Sequence, residues 1–394
     1  MRSADVAIIG GGAMGSSIAY HLRQDGFPGR VVVIERDPGY ARASSALAMG
    51  GIRQQFGSAV NIQLVQRSIP FWREFDSRLS TPGRASRANF RQRGYLFLVS
   101  HDQAVIFEQR LKLQQSLGAR VERLEIAGIA RRLPDVVLDD IAFGVFGADD
   151  GYASPPEVLK SMRVGAIAAG AEFIAQEVVA IERGTDRLTG LVLASGERIA
   201  APIVVDAAGP WAARVAKLAG LELPIEPQRQ MLFRCALPER WPYRFPMVID
   251  PTGVHWRHDD PDQAGDLDRI VVARTRADEP VGENFECDPN RWEEDFLPPL
   301  RHRLPRFREL RVIEAWAGLY EITPDHNALI GPHPALEGFL VAAGFSGHGL
   351  MMSPAVGKAI SELIRLGRSE TVDIAPLAVD RFARGAPLRD GAMI

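Results

Sequence analysis

The segment Gly10-Gly11-Gly12-Ala13-Met14-Gly15 constrains this chain more than any other stretch, because of what surrounds it. Residues 5–10 (Asp-Val-Ala-Ile-Ile-Gly) read as a short buried strand, 13–24 as a helix, and 30–35 (Arg-Val-Val-Val-Ile-Glu) as a second strand. Apolar strand, glycine turn, helix and apolar strand make a βαβ unit. Strands that are apolar throughout suit a parallel sheet covered by helices on both faces. Gly10, Gly12 and Gly15 meet the G-x-G-x-x-G pattern inside that unit. The first permits the tight turn, the second lets a pyrophosphate approach, and the third lets helix pack closely on strand. Backbone N–H groups at the helix start are then available to phosphate. Glu35 ends the second strand twenty residues after Gly15. Its carboxylate there can accept hydrogen bonds from ribose hydroxyls, and it disfavours a 2′-phosphate. The unit reads as a dinucleotide site, with FAD and NAD both open and NADP disfavoured.

The remaining chain bounds the partners. A length of 394 residues implies two or three compact units. A net charge of -3 gives no reason to expect nucleic acid or an anionic membrane. Cys235 and Cys287 are the only cysteines, which excludes a disulfide scaffold and a cysteine-rich zinc cluster; no metal is expected. No apolar run reaches the length of a membrane helix. The N-terminal apolar run continues as strand, turn and helix instead of a secretory leader, so the cytoplasm is the expected location, with peripheral association through a partner.

Further along, 61–79 reads as a helix with Ile62, Val65, Ile69 and Trp72 on its buried stripe, bent or interrupted by Pro70. Residues 94–99 read as a strand and 102–117 as a helix. Pro155 and Pro156 open a helix through 169, and strand material follows over 172–193. The apolar strand 203–208 leads through Gly209 and Pro210 into a helix over 211–219. Residues 225–321 hold strand-like runs broken by Pro, Asp and Gly. Within them 259–268 reads as a polar connection, and His255 and His258 read as structural residues of a polar connection. The last quarter supplies a strand at 339–343, a Gly-rich turn and a helix at about 354–366. Strands of the dinucleotide unit thus lie near both chain ends. The expected fold class is α/β plus α+β: a Rossmann-like unit (1–84, 148–220 and 325–384) interleaved with a substrate unit (85–147 and 221–324) built on a mixed, largely antiparallel sheet. A tail follows over 385–394.

Several separated signals occur in a fixed order: the Gly motif, Ala48-Met49-Gly50-Gly51-Ile52-Arg53-Gln54-Gln55-Phe56, Val205-Asp206-Ala207-Ala208-Gly209-Pro210-Trp211, Trp316-Ala317-Gly318-Leu319-Tyr320 and Gly344-Phe345-Ser346-Gly347-His348-Gly349. Over nearly its whole length the chain resembles the D-amino-acid oxidase superfamily of FAD-dependent oxidoreductases. The resemblance is strongest to the glycine/sarcosine oxidase and dehydrogenase branch, especially the group of FAD-dependent oxidoreductase domain-containing protein 1. It implies FAD as cofactor. Gly10, Gly12, Ala13, Met14 and Gly15 would surround the pyrophosphate, with Glu35 and Arg36 at the adenosine end. Ser44, Ser45 and Ala46 would lie beside the flavin. Val178, Ala208, Gly209 and Trp211 would complete the cofactor wall. Gly318, Gly344, Gly347, His348, Gly349, Leu350 and Met351 would approach the isoalloxazine, where N–H dipoles can stabilise charge on reduced flavin.

The resemblance also implies a small carboxylate-bearing amine as substrate. Arg53 would grip the carboxylate by paired charge-assisted bonds, Tyr320 would assist, and His348 would act on flavin charge or substrate orientation. Asp206 and Asp325 would shape the cofactor unit and a turn and would not move protons. Several positions depart from relatives. Tyr320 stands where glycine oxidases often have arginine, and Met351 where monomeric sarcosine oxidase has a clamp lysine. Gly318 stands near that enzyme's flavin-linking cysteine, so FAD is expected to be non-covalent. The match to its oxygen-activating lysine falls near Val271 or Val272, which disfavours efficient use of oxygen and leaves both oxygen and a partner protein or quinone open as electron acceptor. Oxidation of an amino or secondary-amino acid by hydride transfer from the α C–H to flavin N5, giving a hydrolysable imine, is the expected reaction. A 2-hydroxy-acid dehydrogenase, a flavin-retaining complex-assembly protein and an electron-delivering subunit are the alternatives. Oligomeric state stays open.

Overall fold

The computed structural model describes residues 2–237, 239–259, 267–276 and 278–388. Most of the expected polar connection (260–266) and of the expected tail (389–394) lies outside them.

A six-stranded sheet carries the glycine motif. Its order is Leu329–Pro332, Phe339–Ala343, Val204–Asp206, Val6–Ile9, Val31–Glu35, Glu172–Ala175, all parallel except the first, which forms a hairpin with the second. Alternation sorts its side chains into two layers. Val6, Ile8, Val31 and Val33 point into the core that receives the helices Ala13–Gln24 and Gly349–Leu366. Ala7, Ile9, Val32 and Ile34 point into a second core, shared with a four-stranded sheet of Arg2–Ser3, Arg198–Ala200, Leu188–Leu193 and Val178–Arg183. The two helices touch closely: Ser17 Oγ donates to the Ser353 carbonyl at 2.7 Å, and a side chain at Gly357 would strike Ser17.

The second large sheet has eight strands: Arg311–Ile322, Glu226–Ala236, Arg269–Arg274, Val254–His258, Met247–Ile249, Tyr95–Ser100, Ile141–Gly147 and Val121–Leu124. It is mixed and largely antiparallel, with one parallel pair between Met247–Ile249 and Tyr95–Ser100. One face, including Phe233, Val254, Trp256 and Val272, packs on Trp292, Phe296 and Leu300. The opposite face turns towards the glycine turn.

Four sequence readings are corrected. The helix containing Pro70 runs as Ala59–Arg73 and breaks at Glu74, beyond the proline; a second piece is Phe75–Leu79. The last helix begins at Gly349, five residues before Pro354. Pro354 has no N–H for the Leu350 carbonyl, and Ser353 Oγ fills that gap at 2.9 Å. The strand run from 172 divides between two sheets. His255 and His258 lie on a buried strand, not in a connection.

Candidate active site

The first strand ends in a turn that only glycine satisfies. Gly10 has φ +97°, and a Cβ there would lie 2.5 Å from the Ala207 carbonyl oxygen. A Cβ at Gly15 would collide with the Gly10 carbonyl, so Gly15 seats the helix against the turn. Glu35 folds back over the turn, accepting hydrogen bonds from the Gly11 N–H at 2.7 Å and the Asp37 N–H at 2.8 Å. Burial raises its carboxyl above the ordinary value, and those two donors oppose the shift. The Ala13 N–H donates to Ser45 Oγ (3.1 Å), and Ser44 Oγ donates to the Leu319 carbonyl (2.6 Å). These bonds tie the 44–47 segment between the first helix and the strand carrying Tyr320.

A second turn, 344–348, faces the first. Gly344, Ser346 and Gly347 all have positive φ, and a Cβ at Gly347 would stand 2.5 Å from the Tyr320 ring. The helix Gly349–Leu366 starts from this turn. Two helix N-termini, with N–H groups not used inside the helix, therefore open on one space.

That space is a single cavity of about 830 Å³, in the upper range for small-molecule sites. Of the predicted residues, Gly10, Gly12, Met14, Glu35, Arg36, Ser44, Ser45, Val178, Ala208, Gly209, Trp211, Gly318, Tyr320, Gly347, Gly349 and Leu350 line it. Ala13, Gly15, Ala46, Gly344, His348, Met351 and Arg53 are not among the lining residues. Met351, for example, is buried and offers its carbonyl to Trp72 Nε1 at 3.0 Å.

The wall fits a dinucleotide. Arg36 lies 4.0 Å over the Trp211 ring, making a planar cationic surface at the Glu35 end. Tyr40 Oη, Trp211 Nε1 and Gln230 Nε2, all on lining residues, are enclosed without a hydrogen-bond partner. Buried polar atoms normally have partners, and a polar occupant would supply them. FAD fits this donor set: glycine turns for its pyrophosphate, a carboxylate for ribose hydroxyls and glycine backbone at the far end.

At that far end the cavity reaches the eight-stranded sheet through Gln230, Leu232, His255, Ala273 and Tyr320. Arg53 lies behind it, 2% exposed. The pairing of Gly51–Ile52 with Gly151–Tyr152 places it, and Asp150 accepts bonds from the Gln54 N–H, Gln54 Nε2 and Gln55 Nε2. Burial pushes the Asp150 carboxyl up to about 6 despite those donors. Arg53 Nη1 donates to the Gln55 carbonyl (2.6 Å), Nη2 lies 3.2 Å from His348 Nε2, and the guanidinium sits 4.5 Å over the Phe56 ring. His348 therefore couples Arg53 to the flavin-side turn. The positive charge of Arg53 is felt by Tyr320 and His255 across the wall.

Sequence reading missed Gln230, His255 and Glu321. His255 is visible as a polar residue alternating with apolar ones on its strand, a signal of a sheet face lining a polar cavity. Asp325 pairs with Arg381 at 2.7 and 2.8 Å, and Asp206 accepts from the Ala208 N–H at 3.1 Å.

Glu321 lines the cavity and accepts a bond from the Gly344 N–H at 2.9 Å. Burial pushes its carboxyl up to about 7, and its charge helps raise Asp206. A carboxyl raised above its unfolded value of about 4.3 stabilises the fold fully below that value and loses the contribution as pH climbs through about 7. Glu321→Gln is accordingly expected to shrink the fall in apoprotein melting temperature between pH 5 and pH 8. An unchanged fall in thermal melts would contradict the assignment.

Fold and cavity together define a dinucleotide-binding protein. The family model described as FAD dependent oxidoreductase (DAO) matches residues 5–363, and the chain belongs to that family. It is 32% identical to FAD-dependent oxidoreductase domain-containing protein 1 of Bos taurus, covering 99% of this chain and 87% of that protein. It is 25% identical to mitochondrial sarcosine dehydrogenase of Mus musculus, over 96% of this chain and 41% of that one. Among solved structures, L-proline dehydrogenase from P. horikoshii superposes with a TM-score of 0.88 at 26% identity, covering 98% of this chain and all of the other.

Proposed function

We propose that the protein oxidises the α carbon of an amino or secondary-amino acid to an imine, with non-covalent FAD. When bound, FAD supplies the two-electron acceptor for the α hydride; the chain supplies binding, orientation and electrostatics. The observation that carries the reading is the continuity of the dinucleotide cavity with a polar recess backed by a buried guanidinium. Arg53 provides positive charge for a substrate carboxylate. At an effective dielectric near 20, such a charge about 5 Å away is worth roughly 3 kcal/mol. Tyr320, which lines the cavity and feels the charge of Arg53, offers a hydroxyl to the same group. Water can hydrolyse the released imine.

The amine reading is preferred to a 2-hydroxy acid because relatives named L-proline dehydrogenase and sarcosine dehydrogenase act on secondary amino acids. Gly318 has no side chain to form a covalent link at that point of the wall. Anaerobic mixing of the FAD-loaded protein with a panel of amino and 2-hydroxy acids tests the proposal. Secondary amino acids are expected to bleach the flavin absorbance, and bleaching by hydroxy acids alone would replace the amine reading.

A further inference from the structure

His255 occupies an unusual place in the cavity wall. It lies in the strand Val254–His258, in register with Ile249 on one side and Ala273 on the other, and Ala273 is in turn opposite Leu232. This cross-strand row shares one face of the sheet. His255, Ala273 and Leu232 all line the cavity, so the imidazole is set among apolar neighbours on the wall.

Its tautomer is determined by a neighbour. Nδ1 is 3.0 Å from the Gly253 carbonyl, which can only accept, so Nδ1 carries the hydrogen. Nε2 is left as a lone-pair acceptor. Burial, reinforced by the charge of Arg53, lowers the ring's affinity for a proton to a pKa of about 4, so it stays neutral at ordinary pH. A neutral imidazole of this kind does not strip a proton from an alkylammonium ion. It can accept a hydrogen bond from an amine.

We infer that His255 Nε2 receives the N–H of the bound substrate and thereby restricts this site to amines that retain an N–H. This rests on the amino-acid reading above and names its substrate class: primary and secondary amines, with tertiary amines excluded. The chemistry of oxidation agrees. A neutral secondary amine has one N–H and one lone pair. Directing the N–H at His255 leaves the lone pair free to form the C=N bond as the α hydride departs. A tertiary amine brings no hydrogen and leaves a buried acceptor facing an alkyl group or a second lone pair, a mismatch worth roughly 10- to 100-fold in binding.

The test uses two flat carboxylates of similar shape that the enzyme has no α C–H to oxidise. Pyrrole-2-carboxylate offers one ring N–H; furan-2-carboxylate has an oxygen there. Their dissociation constants are read from the perturbed absorbance of the FAD-loaded protein. The wild type is expected to bind the pyrrole at least about tenfold more tightly. His255→Leu should bring the ratio near one, and His255→Gln, with an amide oxygen, should keep part of the preference. A ratio near one in the wild type overturns the inference even if the variants do not fold, as does a preference that survives in His255→Leu. Failure of both carboxylates to bind the wild type would sink the carboxylate-amine reading itself, and this inference with it.

Discussion

Gly10→Ala is expected to give a protein that no longer retains FAD and melts at a lower temperature. Alanine at this position meets two separate costs. Holding φ at +97° costs an L residue about 1–2 kcal/mol. The new methyl would also stand 2.5 Å from the Ala207 carbonyl oxygen and 2.9 Å from the Ala208 Cα, both backbone atoms without a rotamer to escape into. Overpacking of this kind adds about 1–3 kcal/mol. Together these correspond to roughly 30-fold to several-thousand-fold weaker FAD binding wherever the turn must hold its shape to bind. Ala207 and Ala208 line the same cavity, so relief by moving them deforms the cofactor wall. Gly26 is the control: its φ is +76°, but nothing lies within 4 Å of an added Cβ. Gly26→Ala should lose a little stability and keep its flavin. Fluorescence titration of apoprotein with FAD, paired with thermal melts, measures both, and normal affinity in Gly10→Ala would contradict the turn's assigned role.

Arg53→Met should have the opposite profile, with flavin retained and substrate capture lost. The methionine keeps most of the packing over Phe56 but removes the charge and the bonds to the Gln55 carbonyl and His348. Loss of a buried charged donor costs about 1–3 kcal/mol. Loss of attraction for a carboxylate in the cavity, across the wall from Arg53, is of similar size. Half-saturating concentrations of amino acid in anaerobic flavin reduction are therefore expected to rise roughly 100-fold or more, with FAD stoichiometry near the wild type. His348 is bonded to Arg53 and begins the helix at the flavin-side turn, so a modest fall in FAD affinity can accompany this. Complete loss of FAD with normal turnover on reconstitution would assign Arg53 to cofactor assembly instead.

The glycine turn was legible because its demands are local: φ at Gly10, contact at Gly15, and the apolar strands on either side are all written within thirty residues. The interleaving of the two units was legible for the same reason at the other chain end, where 339–343 repeats the apolar strand pattern. What escaped was the inner face of the eight-stranded sheet. The run Val254-His255-Trp256-Arg257-His258 alternates, but the usual expectation places polar residues towards water. Here Val254 and Trp256 enter a packed core while His255 lines the cavity. A strand with both faces covered and one polar lining looks in sequence like a connection. Proline misled twice through a sound rule, and at Pro354 a neighbouring hydroxyl satisfies what it leaves open. Ser353 supplies the missing donor at Pro354, and the helix through Pro70 continues to Arg73. Arg53 was found by resemblance alone; nothing in its local pattern distinguishes it from a surface arginine.

A single anaerobic turnover asks whether flavin and amine meet in one space. FAD-loaded protein is mixed with one equivalent of a cyclic secondary amino acid, and flavin absorbance and imine are followed together. Both are expected to change in equal molar amounts, and pyrrole-2-carboxylate, added first, is expected to suppress both. A flavin that stays oxidised across primary and secondary amino acids, in protein carrying one FAD per chain, would contradict the amine reading.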